Sequence, residues 1–455
     1  MVDNNRNELQ IAKEQANDQL ELVVDIFRHG ARQAILQNTT GPLENHGKAQ
    51  LYNLGQILRQ RYVVENKLLN EQFNQKQIYL HSSPVQRAQE SLKWMLVGLY
   101  PSDQKNDENE KIVLEGTKQE LPPIKYNQTD QIIKDIMNQK EQIIQQNSQV
   151  DFNLINHGEK VKTEKKEDRF YHYYKHCTFT ILCQTLIKNS DKYFKIVSKV
   201  KESYVKLVKF FNEQEFIKQQ NYQFNEDKPQ FQTLSRFLDY YACTSNKGEH
   251  VEIYTPQIQE QLRYLKCSVQ DMIFQHDDIQ KLSISEHLIN FSKILTKKFK
   301  NKQQVPEKDL KMLLYSCHDR NLYLLMSALI SQKSKSLLGY SYYVPPFASQ
   351  LQFKIYSNKK FQQQKQNTKE LYNDLNQLHI EMSLNDQRLL WKGFNKYRIT
   401  LQQFIHELIP QVSFNEEEYE FICKQSQQFN QKHQNIKEKK HKDNNIMETI
   451  KVKAK

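Results

Sequence analysis

The stretch Glu21–Arg32, ELVVDIFRHGAR, joins an apolar run to a cluster of cationic side chains. Leu22–Phe27 forms the apolar run, and it is followed directly by Arg28, His29 and, after two small residues, Arg32. We predict a buried strand that ends in two guanidinium groups and an imidazole. Arginine suits multidentate binding of phosphate oxygens, and a neutral imidazole beside fixed positive charge is a plausible nucleophile. The alternative is an ordinary strand end whose charged residues meet solvent.

The composition is that of a globular, basic protein. The chain has 455 residues, of which 38% are hydrophobic, with a mean hydropathy of -0.81 and a formal net charge of +12. A positive charge favours acidic partners such as phosphorylated molecules, nucleic acid or an anionic surface. The lysine clusters at 160–166 and 432–455 are typical of solvated or disordered segments. Because no nucleic-acid motif accompanies them, we expect a small phosphorylated substrate and no nucleic acid.

The cysteines and the N-terminal sequence bear on compartment. The six cysteines lack a CxxC pair, which argues against a zinc ribbon or a thioredoxin-like site, and they permit between zero and three disulfides. The first residues show no apolar leader, and no apolar stretch is long enough to span a membrane. We therefore expect a soluble protein without stable membrane insertion, cytoplasmic as written, and lysosomal or secreted if the N-terminus is mature or incomplete. A homodimer is compatible with the sequence.

A second strand followed by a cationic helix start lies near residue 80. Ile78–Leu80 predicts a short strand, and we expect Ser83 to be the N-cap of the next helix, with Pro84 at its first position and Gln86 completing a capping box. Arg87 would then lie in the first helical turn, where its guanidinium and the helix N-terminal amides can address one anion. The alternative is a surface arginine on an ordinary helix.

The middle of the chain has a different pattern, because its apolar residues recur at helical spacing or irregularly. His172 and His176 are four residues apart and could ligate a metal on a helix, but no further ligands accompany them, so we favour packing and expect no metal site. The predicted organisation is a polar lead-in (1–20), an α/β core (21–101 and 309–423), a mainly helical cap insertion (102–308) and a Lys-rich tail expected to be disordered (424–455).

A third strand with reactive side chains follows this insertion. Met312–Cys317 is apolar, ends in His318 and Asp319, and is followed by leucines at helical spacing. Further strands are expected in Val344–Ser357 and in a hairpin over Leu378–Trp391. The pattern predicts an α/β fold with a mostly parallel sheet flanked by helices on both faces.

The three motifs are expected to meet in one pocket. Carboxyl ends of parallel strands share one edge of a sheet, where ligands bind. The residues expected to line this pocket are Arg28, His29, Arg32, Arg87, His318 and Asp319. Such a set suits a dianion and could support phosphoryl transfer without a metal or cofactor, by charge neutralisation, an in-line nucleophile and a proton donor. A P-loop and the CxxxxxR signature of cysteine phosphatases are absent from the sequence.

These motifs resemble a known family. RHGAR (28–32), SSPVQRAQESL (82–92) and YSCHDRN (315–321) look like the signature blocks of the histidine acid phosphatases, the two-domain branch of the histidine phosphatase superfamily. The resemblance also covers GKAQLYNLGQILRQRY (47–62) and PPFASQLQF (345–353), and it runs with interruptions from about Leu22 to Cys423. It implies an α/β core with a mostly helical cap that shapes substrate choice.

The resemblance also implies a covalent mechanism and a set of roles. His29 would attack phosphorus to form a phosphohistidine, and Asp319 would protonate the leaving group and then help to activate water. The phosphoryl oxygens would be held by Arg28, Arg32, Arg87 and His318. An acidic optimum is expected, because Asp319 must be neutral to donate a proton.

One position departs from the family pattern, and the substrate stays open. The family usually has proline two residues after the second arginine of the first motif, whereas this chain has Ala34. Proline would stiffen the loop that aims Arg32, so its absence could lower the rate. The leading expectation is an acid phosphatase acting on small phosphomonoesters. The alternatives are an inositol polyphosphate or lysophospholipid phosphatase of the same family, or a catalytically weak phosphate-binding module.

Overall fold

The fold is known here from a computed structural model that describes most of the sheet and its helices. The described residues are 18–37, 40–101, 156–157, 190–220, 223–227, 230–274, 276–300, 305–340, 343–358 and 375–425. His172, His176, both lysine-rich stretches and most of the N-terminal lead-in lie outside these ranges, so the expectations about them stay predictions.

A single sheet of eight strands carries the site. In chain order the strands are β1 (Asp18–Arg28), β2 (Ile78–Ser82), β3 (Asn156–His157), β4 (Met312–Cys317), β5 (Gln350–Asn358), β6 (Leu378–Leu384), β7 (Gln387–Leu389) and β8 (Arg398–Thr400). Across the sheet the order is β3-β2-β4-β1-β5-β6-β7, and β8 pairs with β6. The strand expected to deliver the site, β1, is therefore central.

The sheet is mixed, so the prediction of a mostly parallel sheet is wrong. The pairs β2–β3, β2–β4 and β1–β4 are parallel, whereas β1–β5, β5–β6, β6–β7 and β6–β8 are antiparallel. The predicted hairpin is confirmed: β6 and β7 are joined by Asn385 and Asp386, which have φ values of 46° and 68°. A two-residue turn can only join antiparallel strands, while the long excursions before β4 allow parallel pairing.

Helices cover both faces of the sheet, as predicted. They are α1 (Asn45–Arg59), α2 (Gln86–Leu99), α3 (Asp191–Ser198), α4 (Lys201–Glu213), α5 (Glu215–Lys218), α6 (Phe231–Asn246), α7 (Pro256–Phe274), α8 (Asp277–Lys300), α9 (Asp319–Leu329), α10 (Gln332–Leu337), α11 (Leu401–Gln403), α12 (Ile409–Val412) and a final helix at 416–425. Val23 and Phe27 of β1 pack in one apolar cluster with α1 and α2. Leu22, Val24 and Ile26 pack in another with α6 to α9.

The burial of β1 explains its unbroken apolar run. Every residue from Glu21 to Arg28 is buried, because neighbouring strands flank β1 and helices cover both of its faces. An alternating pattern would have left one face exposed to water. Arg28 thus enters the site already surrounded by protein.

The described part of the predicted insertion is helical apart from the short strand β3, and some of it covers the sheet. Phe291 of α8 lies with its ring centroid 5.8 Å from that of Phe353 in β5 and 5.7 Å from that of Phe404. This helix therefore shares the apolar cluster of the core strands. The boundary between a core and a cap stays a prediction.

Three thiols of the described residues are free, and one cysteine is oxidised. Cys243, Cys267 and Cys317 are free and buried, whereas Cys423 is disulfide-bonded. Three disulfides are therefore excluded. Among the helices given above, none is long and apolar enough to cross a membrane.

Candidate active site

The parallel half of the sheet places the ends of β1, β2 and β4 side by side. Arg28 is in register with Cys317, and Ser82 with Ser316. The next residues continue this pairing, since the amide of His29 donates to the carbonyl of Cys317 at 2.9 Å. The side chains that follow the three strands consequently share one edge of the sheet, as the sequence predicted.

His29 has its two ring nitrogens in different environments. Nδ1 lies 2.9 Å from the carbonyl oxygen of Gly30, which can only accept, so Nδ1 carries the proton. Nε2 then has the free lone pair, and it accepts a hydrogen bond from Nε of Arg87 at 3.1 Å. The ring is almost fully buried, with 2% of the residue exposed. His29 therefore presents Nε2, and not Nδ1, to a ligand.

The surroundings keep His29 neutral. Burial holds the pKa of His29 well below its ordinary value, and the positive charge of Arg87 and the nearby His318 lower it further. The rings of His29 and His318 have centroids 5.3 Å apart. A neutral imidazole retains the lone pair that nucleophilic attack requires.

A close approach between two glycines fixes the backbone after His29. A Cβ atom on Gly30 would lie 2.4 Å from the carbonyl oxygen of Gly47, and one on Gly47 would lie 2.1 Å from that of Ala31. Helix α1 can pack directly on the loop only because both residues lack a side chain. Gln50 of the same helix accepts a hydrogen bond from the amide of Ala31 at 2.9 Å.

Arg28 is held between an aromatic ring and a carbonyl. Its guanidinium carbon lies 4.0 Å from the centroid of the Phe347 ring, and Nη1 donates to the carbonyl of Pro345 at 2.5 Å. Nη2 lies 4.0 Å from Oδ2 of Asp319. The sequence placed Pro345 and Phe347 in a strand, but β5 begins only at Gln350, because prolines cannot donate to a ladder.

Arg32 is paired with a carboxylate that sequence reasoning missed. Both oxygens of Asp239, on α6, contact its guanidinium: Nη2 to Oδ1 at 2.5 Å and Nη1 to Oδ2 at 3.2 Å. Asp239 also accepts a hydrogen bond from the amide of Ile35 at 3.1 Å. The loop containing Ala34, where the family has proline, is thus tied to α6.

Two buried guanidinium nitrogens at this site have no hydrogen-bond acceptor among the described residues. Within the described part of the chain, Nε of Arg28 and Nε of Arg32 have no hydrogen-bond partner. Each residue is only 5% exposed. A buried donor without a partner costs about 1–3 kcal/mol, more when charged. An anion that accepted from these groups would remove this cost.

Arg87 occupies the first turn of α2, although the helix starts later than predicted. The helix begins at Gln86 with Val85 as its N-cap, so the prediction of Ser83 as N-cap is wrong. The hydroxyl of Ser83 lies instead 2.9 Å from Nε2 of His318. Burial, followed by the charge of Arg32, lowers the pKa of Arg87 to about 10, which leaves it cationic at acid and neutral pH.

His318 and Asp319 begin α9. His318 is the N-cap residue, and its amide donates to Oδ1 of Asn321 at 3.2 Å. Oδ2 of Asp319 lies 2.7 Å from Nζ of Lys266, on α7, while Oδ1 accepts from the amide of Arg320 at 2.9 Å. The predicted proton donor is therefore already paired with a cation.

The charge balance around Asp319 favours its carboxylate form. Burial alone would raise its pKa, but the opposing effects of Lys266 and Arg28 prevail and hold the pKa well below its ordinary value. The structure thus brings together all six predicted residues and adds Lys266 and Asp239. Both additions lie on amphipathic helices, where a single charged residue gives no sequence signal of its own. In the described ranges, no group of three or more His, Cys, Asp or Glu side chains could hold a metal ion.

Similarity to known proteins agrees with this geometry. Residues 33–385 match the model of the histidine phosphatase superfamily, branch 2. The chain belongs to this family. The match begins just after Arg32, so family membership does not depend on the first motif.

Individual relatives in the family are distant. The chain is 32% identical over 97 residues to human prostatic acid phosphatase, covering 19% of this chain and 24% of the relative, so it spans about a quarter of that protein's length. The phytase of Citrobacter braakii has a TM-score of 0.54 at 15% identity, with 87% of this chain and 98% of the phytase covered. A Hafnia alvei phytase solved with myo-inositol hexakis sulphate has a TM-score of 0.54 at 14% identity, with 88% and 98% covered. These two structures share the fold.

Proposed function

We propose that the protein is an acid phosphatase that hydrolyses phosphate monoesters through a phosphohistidine on His29. The observation that carries this proposal is the environment of His29, whose Nδ1 is hydrogen-bonded to the Gly30 carbonyl while Nε2 accepts from the guanidinium of Arg87. A neutral, buried imidazole with a fixed tautomer is prepared for in-line attack on phosphorus.

The charges of the pocket suit a dianionic phosphate. Apart from the histidines, the charged side chains described above are four cations and two carboxylates, which gives a net charge of +2. Arg32 pairs with Asp239, Arg28 and Lys266 pair with Asp319, and Arg87 contacts His29. Phosphoryl transfer depends mainly on positioning and on neutralising charge over the equatorial oxygens. The Nε donors of Arg28 and Arg32 are available for those oxygens.

The first half of the reaction forms a bond to His29. The lone pair of Nε2 attacks phosphorus, the bond from phosphorus to the leaving oxygen breaks, and that oxygen takes a proton from Asp319. In the structure, Arg87 donates a hydrogen bond to Nε2. When substrate binds, this hydrogen bond is replaced by one from Arg87 to a phosphoryl oxygen. His318 stabilises the same oxygens from the start of α9.

The second half releases phosphate. Water attacks phosphorus and gives a proton to the Asp319 carboxylate, and the phosphorus–nitrogen bond breaks with its electron pair returning to Nε2. The proton from water returns Asp319 to the acid form in which the next cycle begins, and this form persists only when the medium is acidic enough. Because its pKa lies well below the ordinary value, an acidic medium favours turnover.

Two alternatives to a general acid phosphatase differ from it in substrate or in catalytic activity. An inositol polyphosphate is favoured over a lysophospholipid by the further cation Arg320, which is exposed next to Asp319, and a Hafnia alvei phytase binds myo-inositol hexakis sulphate. A catalytically weak phosphate-binding module was suggested by the missing proline. The Asp239 contacts weaken that suggestion, because they restrain the same loop.

Turnover of p-nitrophenyl phosphate between pH 4 and pH 6 tests the proposal. Wild type should release phosphate, His29→Ala should lose nearly all activity, and His250→Ala should match wild type, because His250 is exposed and distant in sequence from every motif. Equal rates for wild type and His29→Ala would refute the proposal that the protein is a phosphatase that uses His29. Phosphate binding without turnover in wild type would favour the binding module.

The covalent intermediate needs its own measurement. Substrate labelled in the phosphoryl group is mixed with enzyme and quenched in alkaline detergent, because the phosphorus–nitrogen bond hydrolyses in acid. The label should lie on the peptide that contains His29 and be absent in His29→Ala. Label on another residue would contradict the mechanism.

A further inference from the structure

Lys266 reaches the site from a helix that no catalytic motif marks. Its Nζ lies 2.7 Å from Oδ2 of Asp319, and the two side chains are 15% and 21% exposed. The pair is therefore largely removed from solvent screening, unlike the surface ion pairs that contribute little. This contact is the shortest that Asp319 makes with any cation of the described chain.

The backbone beside Lys266 is fixed by its neighbour. The carbonyl of Cys267 accepts a hydrogen bond from the hydroxyl of Tyr323, on α9, at 3.4 Å. The thiol of Cys267 donates to the carbonyl of Tyr343, also at 3.4 Å. Helix α7 is thus bonded to the helix that begins with Asp319, so the distance between ammonium and carboxylate is set by the fold.

We propose that Lys266 is a positioning residue that holds Asp319 as a carboxylate on the leaving-group side of the site and so sets how acidic the medium must be for turnover. The proposal rests on the phosphatase function proposed above. Lys266 itself need not touch the substrate, since it acts through Asp319.

Other charged and titratable groups surround Asp319, and they are kept constant in the test. Arg28 comes from β1, Arg320 from α9, and Arg32 and Arg87 from the loops and helix that close the site. Besides Lys266, the groups whose charges act on Asp319 are Arg28, Arg32, Arg87, Arg320 and the thiols of Cys267 and Cys317, and the titratable His318 directly precedes it. Lys266 has the largest effect among the charges that lower the pKa of Asp319.

The direction of the effect follows from the opposing causes. Lys266 favours the ionised carboxyl, whereas burial opposes it. Without the ammonium, burial counts for more and the pKa of Asp319 rises. The protonated form, which donates to the leaving oxygen, then persists to higher pH. The alkaline limb of the kcat/KM profile, which reports the free enzyme, must therefore move to higher pH.

The leaving group provides an internal control. An alkyl phosphate such as glycerol phosphate releases a basic alkoxide that needs a proton, whereas p-nitrophenolate leaves without one. The change in pH profile should therefore appear with glycerol phosphate and be small with p-nitrophenyl phosphate. A general loss of structure would affect both substrates alike.

The experiment compares Lys266→Met, Lys266→Arg and the control Lys293→Met. Methionine keeps most of the aliphatic stem of lysine without its charge, arginine keeps the charge, and Lys293 is exposed on α8. With glycerol phosphate, the ratio of kcat/KM for Lys266→Met to that of wild type should rise about tenfold between pH 4 and pH 6. For Lys266→Arg and Lys293→Met the ratio should stay nearly constant.

A second measurement does not depend on activity. In protein labelled with carbon-13 at the aspartate carboxyl, the Asp319 resonance, assigned with Asp319→Asn, should titrate at higher pH in Lys266→Met than in wild type. An unchanged titration and an unchanged pH profile would overturn the role of Lys266. An inactive wild type would instead overturn the phosphatase function, and a shifted titration in that case would still show the coupling of Lys266 to Asp319.

Discussion

Arg32 and Asp239 form a two-point ion pair, in which Oδ1 contacts Nη2 and Oδ2 contacts Nη1. The same carboxylate accepts the amide hydrogen of Ile35. One side chain therefore orients the cation and restrains the loop that contains Ala34. A proline ring would restrict the backbone of this loop. In this chain, hydrogen bonds to Asp239, on a helix distant in sequence, restrain the loop instead.

Replacing Asp239 should weaken the grip on phosphate. In Asp239→Ala the guanidinium of Arg32 loses its partner and the loop loses its anchor, and a misplacement of about 1 Å can cost on the order of 100-fold in rate. We expect kcat/KM for p-nitrophenyl phosphate to fall about 10- to 100-fold, with a smaller loss in Asp239→Asn.

The control for this variant is Glu213→Ala, which removes an exposed acid from the neighbouring helix α4. It should leave kcat/KM within about twofold of wild type, since substitutions at exposed positions have small effects. If Asp239→Ala retained full activity, the anchoring role of Asp239 would be refuted.

Arg87 should control the acid limb of the pH profile. Its charge is the largest cause after burial that lowers the pKa of His29. In Arg87→Ala that pKa rises, so the neutral nucleophile is lost at a higher pH as the medium is acidified. Imidazole nitrogen-15 titration of His29 measures the change directly, and the acid limb of kcat/KM should move in the same direction.

Arg87→Lys separates charge from geometry. Lysine preserves the positive charge but cannot bind two oxygens in the planar fork of arginine. The pKa of His29 should therefore stay low, while the affinity for inorganic phosphate drops about tenfold or more in both variants. Identical His29 titrations in Arg87→Ala and wild type would argue against electrostatic control by Arg87.

Ser83 should orient His318. Its hydroxyl lies 2.9 Å from Nε2 of His318, and a hydrogen bond of this kind contributes about 0.5–1.5 kcal/mol. Ser83→Ala should lower kcat/KM about two- to tenfold, whereas Ser82→Ala should have little effect, because the hydroxyl of Ser82 donates to a backbone carbonyl instead. A larger loss in Ser82→Ala than in Ser83→Ala would contradict this assignment.

Asp25 should make the folded protein more stable in acid than at neutral pH. It is fully buried in β1, and burial raises its pKa to about 7 despite a hydrogen bond from Gln352. Between about pH 4 and pH 7 the unfolded chain loses this proton while the folded one keeps it, so the free energy of unfolding falls as pH rises. Below pH 4 both states are protonated and the penalty vanishes.

Asp25→Asn removes this penalty, because asparagine resembles the protonated acid. Urea unfolding at pH 7 should show the variant to be more stable than wild type by on the order of 3–4 kcal/mol, and at pH 4 the difference should nearly disappear. Asp227→Asn, at an exposed loop position, should show no such trend. A difference between Asp25→Asn and wild type that did not vary with pH would refute the buried titration.

Much of the site was predictable from sequence for a physical reason. A continuous apolar run predicts a central strand that is buried on both faces. When such strands are parallel, their carboxyl ends lie at the same edge of the sheet. His29, His318 and Asp319 each follow such a run within two residues, so their convergence required no knowledge of the intervening chain. Arg87 was placed by the strand–helix junction even though the helix began at Gln86 and not where predicted.

The other features of the site depend on tertiary contacts, which leave no local pattern in the sequence. Lys266 and Asp239 look like residues of a solvated helix face, and only the packing of α6 and α7 brings them to Asp319 and Arg32. The β6–β7 hairpin was predicted, but the antiparallel pairing of β5 with β1 and β6 was missed, because an apolar run does not record whether its neighbour is parallel. Ser83 satisfied the rule for a cap residue but bonds a histidine instead.

The order of strands in the sheet has a consequence for biosynthesis. β4 lies between β1 and β2, yet the ribosome makes it long after both; Ser83 and His318, for example, are 235 positions apart. Until β4 emerges, no strand lies between β1 and β2 to align one with the other, and contacts of such long range form slowly. A nascent chain that stops before Met312 therefore holds Arg28, Arg32 and Arg87 but lacks the strand that aligns β1 with β2.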